Sequence, residues 1–148
     1  MLCVNSYKQT YVDKCRASME SQLAAYKTLL KTARAKAGSD NEGLNSAVAA
    51  FEPIFFNNLA MVLDGFFVHR SRTLEGKDGN ALNEFRMICT SLLQNHGVMG
   101  ADQANKSIKY NPEKSVLHLK IGDEIKLTEA AFIALFKAFF AEIETKFV

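Results

Sequence analysis

Residues His69 to Arg86 hold the densest set of chemically capable side chains in the sequence. Eighteen positions carry four cations (Arg70, Arg72, Lys77, Arg86), three carboxylates (Glu75, Asp78, Glu84), His69, and the amides Asn80 and Asn83. Two kinds of chemistry fit. An anion could sit where Gly79 permits close backbone approach and where N–H groups after Asn80 open a helix. Arg70, Arg72, Lys77 and Arg86 would then supply charge. Alternatively, His69 could act as acid or base on a phosphorylated substrate. The structural reading is that Glu75, Asp78 and Glu84 pair with the arginines and tie the loop down. Gly76-x-x-Gly79 is too short to mark a nucleotide site by itself.

Polar residues also interrupt the apolar stretch before the cluster. Asn58, Val62, Gly65, His69 and Arg72 share a helical face by 3–4 spacing, and Asn57, Met61 and Asp64 share the adjoining one. A buried Asp64 must find a cation or several donors, because an unpaired buried charge is costly. Either Asp64, His69 and Arg72 meet in a pocket, or Asn57, Asn58, Asp64, Glu75 and Glu84 belong to a buried polar network that fixes helix register.

Other chemistries lack their residues. His69, His96 and His118 form no His-x3-His or Glu-x-x-His pair, so no metal is expected. There is no Gly-x-Ser-x-Gly and no cysteine beside an identifiable base. Tyr7, Tyr11 and Tyr26 interleave with lysines, but tyrosines at helical spacing read first as core and only second as a base-stacking surface.

The elements that must position the cluster are mostly helices. Tyr7, Tyr11, Cys15, Met19, Leu23, Tyr26, Leu30 and Ala33 make one stripe from a start near Ser6, where Ser6-x-x-Gln9 has capping-box spacing. Gly38 fits the end of that helix. A second helix is expected from about Leu44 to Thr73, kinked or restarted at Pro53 and most buried at Ile54–Val68. A third is capped by Asn80 and carries Leu82, Phe85, Ile88, Cys89, Leu92 and Leu93. Then the period changes to two at Ile108/Tyr110, Leu117/Leu119/Ile121 and Ile125/Leu127, with Asn111-Pro112 and Gly122-Asp123 as turns. That pattern predicts an antiparallel β meander at about 106–127. A last helix is capped by Thr128 and buries Phe132, Leu135, Phe136, Phe139, Phe140, Ile143 and Phe147. The expected fold is mainly α: a four-helix bundle in one domain, 1–148, with the meander inserted before the last helix.

Composition narrows the setting. Net charge is +2, but residues 1–37 carry seven Lys/Arg against two Asp/Glu, which reads as a solvated basic face. Cys3, Cys15 and Cys89 are odd in number and widely spaced, so a reducing cytoplasm is expected. Ile54–Val68 contains Asn57, Asn58 and Asp64 and is short of the roughly 20 apolar residues of a membrane span, so no membrane is expected.

Phe51-Glu-Pro-Ile-Phe-Phe-Asn-Asn-Leu59, Phe67-Val-His-Arg-Ser-Arg72 and Glu75-Gly-Lys-Asp-Gly-Asn-Ala-Leu-Asn-Glu-Phe-Arg86 resemble an uncharacterised family of small helical bacterial proteins, chiefly actinobacterial. Lys114–Leu117 and Gly122–Glu129 are similar to it too. The resemblance covers most of residues 44–147 and implies a helical protein with no assigned activity. Proline commonly follows Gly-Asn in that pattern, where this chain has Ala81. The helical layout is also similar to HEPN-type RNA-processing domains, but their Arg-x4–6-His signature is missing, because Arg86 and His96 lie ten positions apart.

The residues therefore point to a non-catalytic ligand- or partner-binding or regulatory protein with a polar site around 69–86. Its expected partners are a second copy in a homodimer, suggested by the eleven phenylalanines, and a small anionic ligand. No cofactor and no nucleic acid are expected. The alternative is a hydrolase or nuclease acting on a phosphorylated substrate.

Overall fold

The computed structural model describes residues 2–38, 41–100 and 106–148. The helices are α1 (Gln9–Ala37), α2 (Glu42–Phe66), α3 (Arg72–Glu75), α4 (Ala81–Gln94) and α5 (Glu129–Phe147). α4 packs on α5 and α2, and α1 lies along α2 and α5. Their shared core is aromatic. Phe56, Phe67, Phe85, Phe132, Phe139 and Phe147 are all essentially inaccessible. Phe85 and Phe139 meet at 4.6 Å between ring centroids, and Phe67 meets Phe139 edge-on at 5.5 Å. Such pairs add modestly to what burial of the rings already contributes.

The expected β meander does not exist. No strand occurs among the described residues, and two isolated bridges, Val4 with Arg70 and Val98 with Glu124, are the β pairing found there. The stretch 106–127 is an extended loop with one 3-10 turn at Pro112–Lys114. Of its period-two apolar residues, Ile108, Tyr110, Leu117 and Leu119 pack on the bundle and Ile125 and Leu127 are buried, but Ile121 is 56% exposed. Its backbone donors, however, divide between side chains and isolated backbone carbonyls, such as Gly122 N–H to Met99 and Ile125 N–H to Gly97, instead of a neighbouring strand. Val116 and Leu117 donate to the Glu84 carboxylate, His118 to Ser115 Oγ, and Lys120 to Asp123. Asn57 of α2 imitates a strand edge, donating to the Ile125 carbonyl at 3.0 Å and accepting from Leu127 N–H at 3.2 Å. Alternation reports which side of an extended chain is buried; it does not say what satisfies its N–H groups.

α1 begins at Gln9 rather than near Ser6, and the Ser6-x-x-Gln9 box is not used. Tyr7 instead donates its N–H to the Phe147 carbonyl, which fastens the chain entry to the end of α5. α2 runs unbroken through Pro53. Ala49, whose carbonyl loses its helical partner there, is exposed and open to water. α2 also ends at Phe66, short of Thr73, so His69 and Arg72 leave its face and α3 is an additional, single-turn helix. The expected caps at Asn80 and Thr128 are both made.

The expectation that Ile54–Val68 is buried nearly all round fails on one side. Phe56, Leu59, Ala60 and Leu63 face the core, but Ile54 is 62% exposed and Val62 44%. The helices that contact α2, namely α1, α4 and α5, pack on the side of Phe56, Leu59 and Leu63, and no described element covers the opposite flank. α1 and α2 have 29 and 25 residues, whereas α4 and α5 have 14 and 19. At 1.5 Å per residue the first two also overhang the others at one end.

Candidate functional site

Glu75 is the centre of the polar cluster. α3 is one turn long, and Ser71 caps it by accepting from Leu74 N–H. That turn puts the Glu75 side chain, 1% exposed, between Arg70 and Arg86. Arg70 Nε donates to one carboxylate oxygen at 3.1 Å. Arg86 donates through Nε at 3.0 Å to the other oxygen and through Nη2 to the first. Asn83 Nδ2 adds a fourth donor at 3.2 Å. Burial alone would push this carboxyl up. The Arg86 hydrogen bonds and the charges of Arg70 and Arg86 outweigh it and hold the carboxyl below its ordinary range.

Arg70 is itself fully enclosed. Its Nη1 donates to Asp64 at 2.9 Å and to the Phe67 carbonyl at 3.1 Å, and its guanidinium lies over the Phe139 ring at 5.4 Å. Asp64, half-buried, finds its cation in Arg70, not in His69 or Arg72. The Val4 backbone pairs with His69 and Ser71 on either side and holds the Arg70 segment in place.

The corner at Gly79 and Asn80 is built, but the protein fills it. Asn80 Oδ1 accepts from Leu82 and Asn83 N–H, which caps α4, and its amide donates to the Glu75 carbonyl at 2.7 Å. Lys146 of α5 donates to the same carbonyl at 2.9 Å. Gly79 has φ +87°, and a side-chain carbon there would lie 2.4 Å from the Lys109 carbonyl oxygen. The close approach that this glycine permits is to the 109–110 backbone. Lys109 N–H in turn donates to the Lys77 carbonyl.

Glu84, nine residues beyond Glu75 and as deeply buried, has no arginine. Its oxygens accept the Val116 and Leu117 N–H groups at 2.8 and 2.9 Å. Burial pushes its carboxyl up, and the two N–H groups offset only part of that shift.

The structure therefore unites Asp64, Arg70, Glu75, Asn80 and Arg86, and places Asn57 and Glu84 at separate contacts with the 106–127 loop. It does not bring His69 or Asn58 in; both are exposed. Arg72 and Lys77 are exposed at the rim of a cavity of only about 20 Å³, with Arg86, Asn83 and Ser107 also on its walls. That volume suits one water molecule. No three His, Cys, Asp or Glu side chains converge on a metal position among the described residues.

Sequence reasoning missed Asn83 and Lys146 as partners of this clamp. Asn80-x-x-Asn83 across a helix start was a usable signal for the first; nothing local marks the second, 71 residues from Glu75. It also missed a larger concavity. A groove of about 470 Å³ between the overhanging halves of α1 and α2 is lined by apolar residues, including Leu29, Leu30, Leu44, Val48 and Phe51 beside Tyr26. Tyr26, Phe55 and Phe51 stack along it at 5.4 and 5.6 Å between successive rings. No protein-family model, curated protein or solved structure matches the chain.

Proposed function

We propose that this chain is a non-catalytic partner-binding protein, regulatory in role, whose contact surface is the apolar outward flank of α1 and α2. The polar cluster at 69–86 is then the structural base that holds α2, α3, α4 and α5 together. One observation carries this reading: Arg70 and Arg86 are committed to Glu75, and the cavity beside them holds about 20 Å³. An enzyme of phosphorylated substrates needs a concave site where His69 and a cation converge. His69 is not among the residues lining that cavity. The three thiols, Cys3, Cys15 and Cys89, are all free, which supports work in a reducing cytoplasm.

Anion titration tests the reading. Phosphate and sulfate should change thermal stability equally in wild type, Arg72→Ala and Lys77→Ala, as ionic strength alone would. A saturating stabilisation lost in either variant would establish an anion site and defeat the proposal. Hydrolysis of a chromogenic phosphodiester by wild type, lost in His69→Ala, would establish the hydrolase or nuclease alternative.

A further inference from the structure

The outward face of α2 is symmetric about Asn58. Residues three, four and seven positions away on either side are Phe55 and Met61, Ile54 and Val62, and Phe51 and Gly65. Those offsets lie on one helix face. Asn58 is exposed and makes no side-chain hydrogen bond to another described residue. We propose that this face binds a second copy of the chain, antiparallel, with Asn58 on the two-fold axis. The proposal rests on the partner-binding reading and names its partner.

Three features favour this occupant. The first is self-complementarity. A two-fold contact demands that residue i meet j and j meet i. Pairing about Asn58 sets Phe51 against Gly65, Ile54 against Val62, and Phe55 against Met61. Gly65 has open space above it, with nothing within 4 Å of where a side-chain carbon would sit. A phenylalanine ring of the second copy fits there. The primary amide of Asn58 both donates and accepts, so two of them satisfy each other across the axis. One polar residue in an apolar helix seam is a known device for fixing register and partner number.

The second is charge. α2 contains no Lys or Arg, and its three carboxylates are off this face. Glu52 accepts from the Tyr26 hydroxyl, Asp64 pairs with Arg70, and Glu42 is at the far end. By length and composition α2 could cross a membrane, and only 22% of its most apolar window is buried. A lipid surface is met by cations flanking an apolar face; α2 supplies none, and the basic residues of this flank belong to α1, outside the Asn58-centred seam. Two copies of the uncharged seam meet no repulsion.

The third is area. α1 borders the same flank through Ala25 and Leu29, which share a second groove with Phe51 and Phe55. An axis at Asn58 overlaps residues 50–66 of α2 with the same residues of the second copy. With α1 alongside, this offers roughly 25 Å by 20 Å per partner, near the ~1,000 Å² in total that a specific interface should clear.

Sedimentation velocity at tens of micromolar should give twice the chain mass for wild type. Ile54→Glu and, separately, Val62→Gln should give the monomer mass with unchanged helical circular dichroism. Asn58→Cys in a Cys3→Ser background should oxidise to a covalent dimer, since residue 58 meets itself across the axis. A wild-type monomer overturns the proposal, as does a dimer indifferent to both face variants or one that Asn58→Cys fails to cross-link. Flotation with phosphatidylcholine–phosphatidylglycerol vesicles separates this failure from that of the underlying reading. A monomer that floats, and ceases to in Ile54→Glu, discards the second copy but keeps the face as a binding surface. A monomer that neither floats nor responds to Ile54→Glu, and whose phosphate stabilisation is lost in Arg72→Ala, discards both.

Discussion

Around Glu75, each buried charge faces a counter-charge within about one hydrogen-bond length, whereas the outer face of α2 has no charge to pair and little to cover it. The two regions meet along α2. One end of that helix delivers Asp64 to Arg70, while its outer face presents Phe51, Ile54 and Val62 to solvent. The contrast separates two uses of side chains that look alike in the sequence. Densely polar residues became interior fixings, and strongly apolar residues became surface. Burial is decided by which neighbours arrive, and four donors arrive at Glu75 while the described residues leave Ile54 62% exposed.

The most damaging way to break the comparison is at the clamp. Glu75→Ala leaves Arg70 enclosed with its main counter-charge gone, and should cost about 3–5 kcal/mol. Urea unfolding measures it; a loss under about 1 kcal/mol would mean that the clamp contributes little to stability. Leu63 supplies the apolar equivalent on the buried side of α2. Leu63→Ala should cost roughly 2–5 kcal/mol in the same assay, and a value below about 0.5 would remove α2 from the core.

The two buried glutamates sharpen the contrast through pH, with opposite signs. The Glu75 carboxyl is held below its ordinary 4.5. Its contribution is therefore fully present above that value and is lost as pH falls through the lowered native one. Glu84 is raised above 4.5, so its contribution is fully present below that value and is lost as pH rises through the raised native one. The stability gap between wild type and Glu75→Gln should shrink on acidification, while the gap to Glu84→Gln should shrink as pH rises from 4 toward 7. Parallel trends in the two gaps would refute the assignment. The smallest effect belongs to the exposed face: Ile54→Ser, measured on dilute monomer, should stay within about 0.5 kcal/mol of wild type.

Much of this was legible locally. Asn80 and Thr128 act as caps because each capping bond closes within three residues. The stripe of α5 and that of α4 as far as Cys89 are buried as their 3.6-residue period requires, whereas Leu92 is half-buried and Leu93, expected in the stripe, is 70% exposed at the helix end. The cluster at 69–86 was also visible, including the possibility that its arginines simply pair with Glu75. Its geometry was not. Lys146 and the Lys109 carbonyl reach it from distant parts of the chain, and no spacing rule connects them to Gly79. The β meander failed for the same reason. Alternating Leu117 and Leu119 both pack on the bundle, but whether a strand or the Glu84 carboxylate takes the N–H groups there is a question about tertiary neighbours.

Helix type, helix caps and the identity of the apolar stripes are thus properties of the sequence, because backbone sterics, side-chain period and capping bonds act over a turn or two. Which stripe becomes core, which carboxylate receives two arginines and which receives two backbone N–H groups, and which face of α2 stays open were decided only by tertiary packing. Those outcomes depend on desolvation and on charges brought together across long chain separations, and α4 and α5 are too short to cover what α1 and α2 extend beyond them.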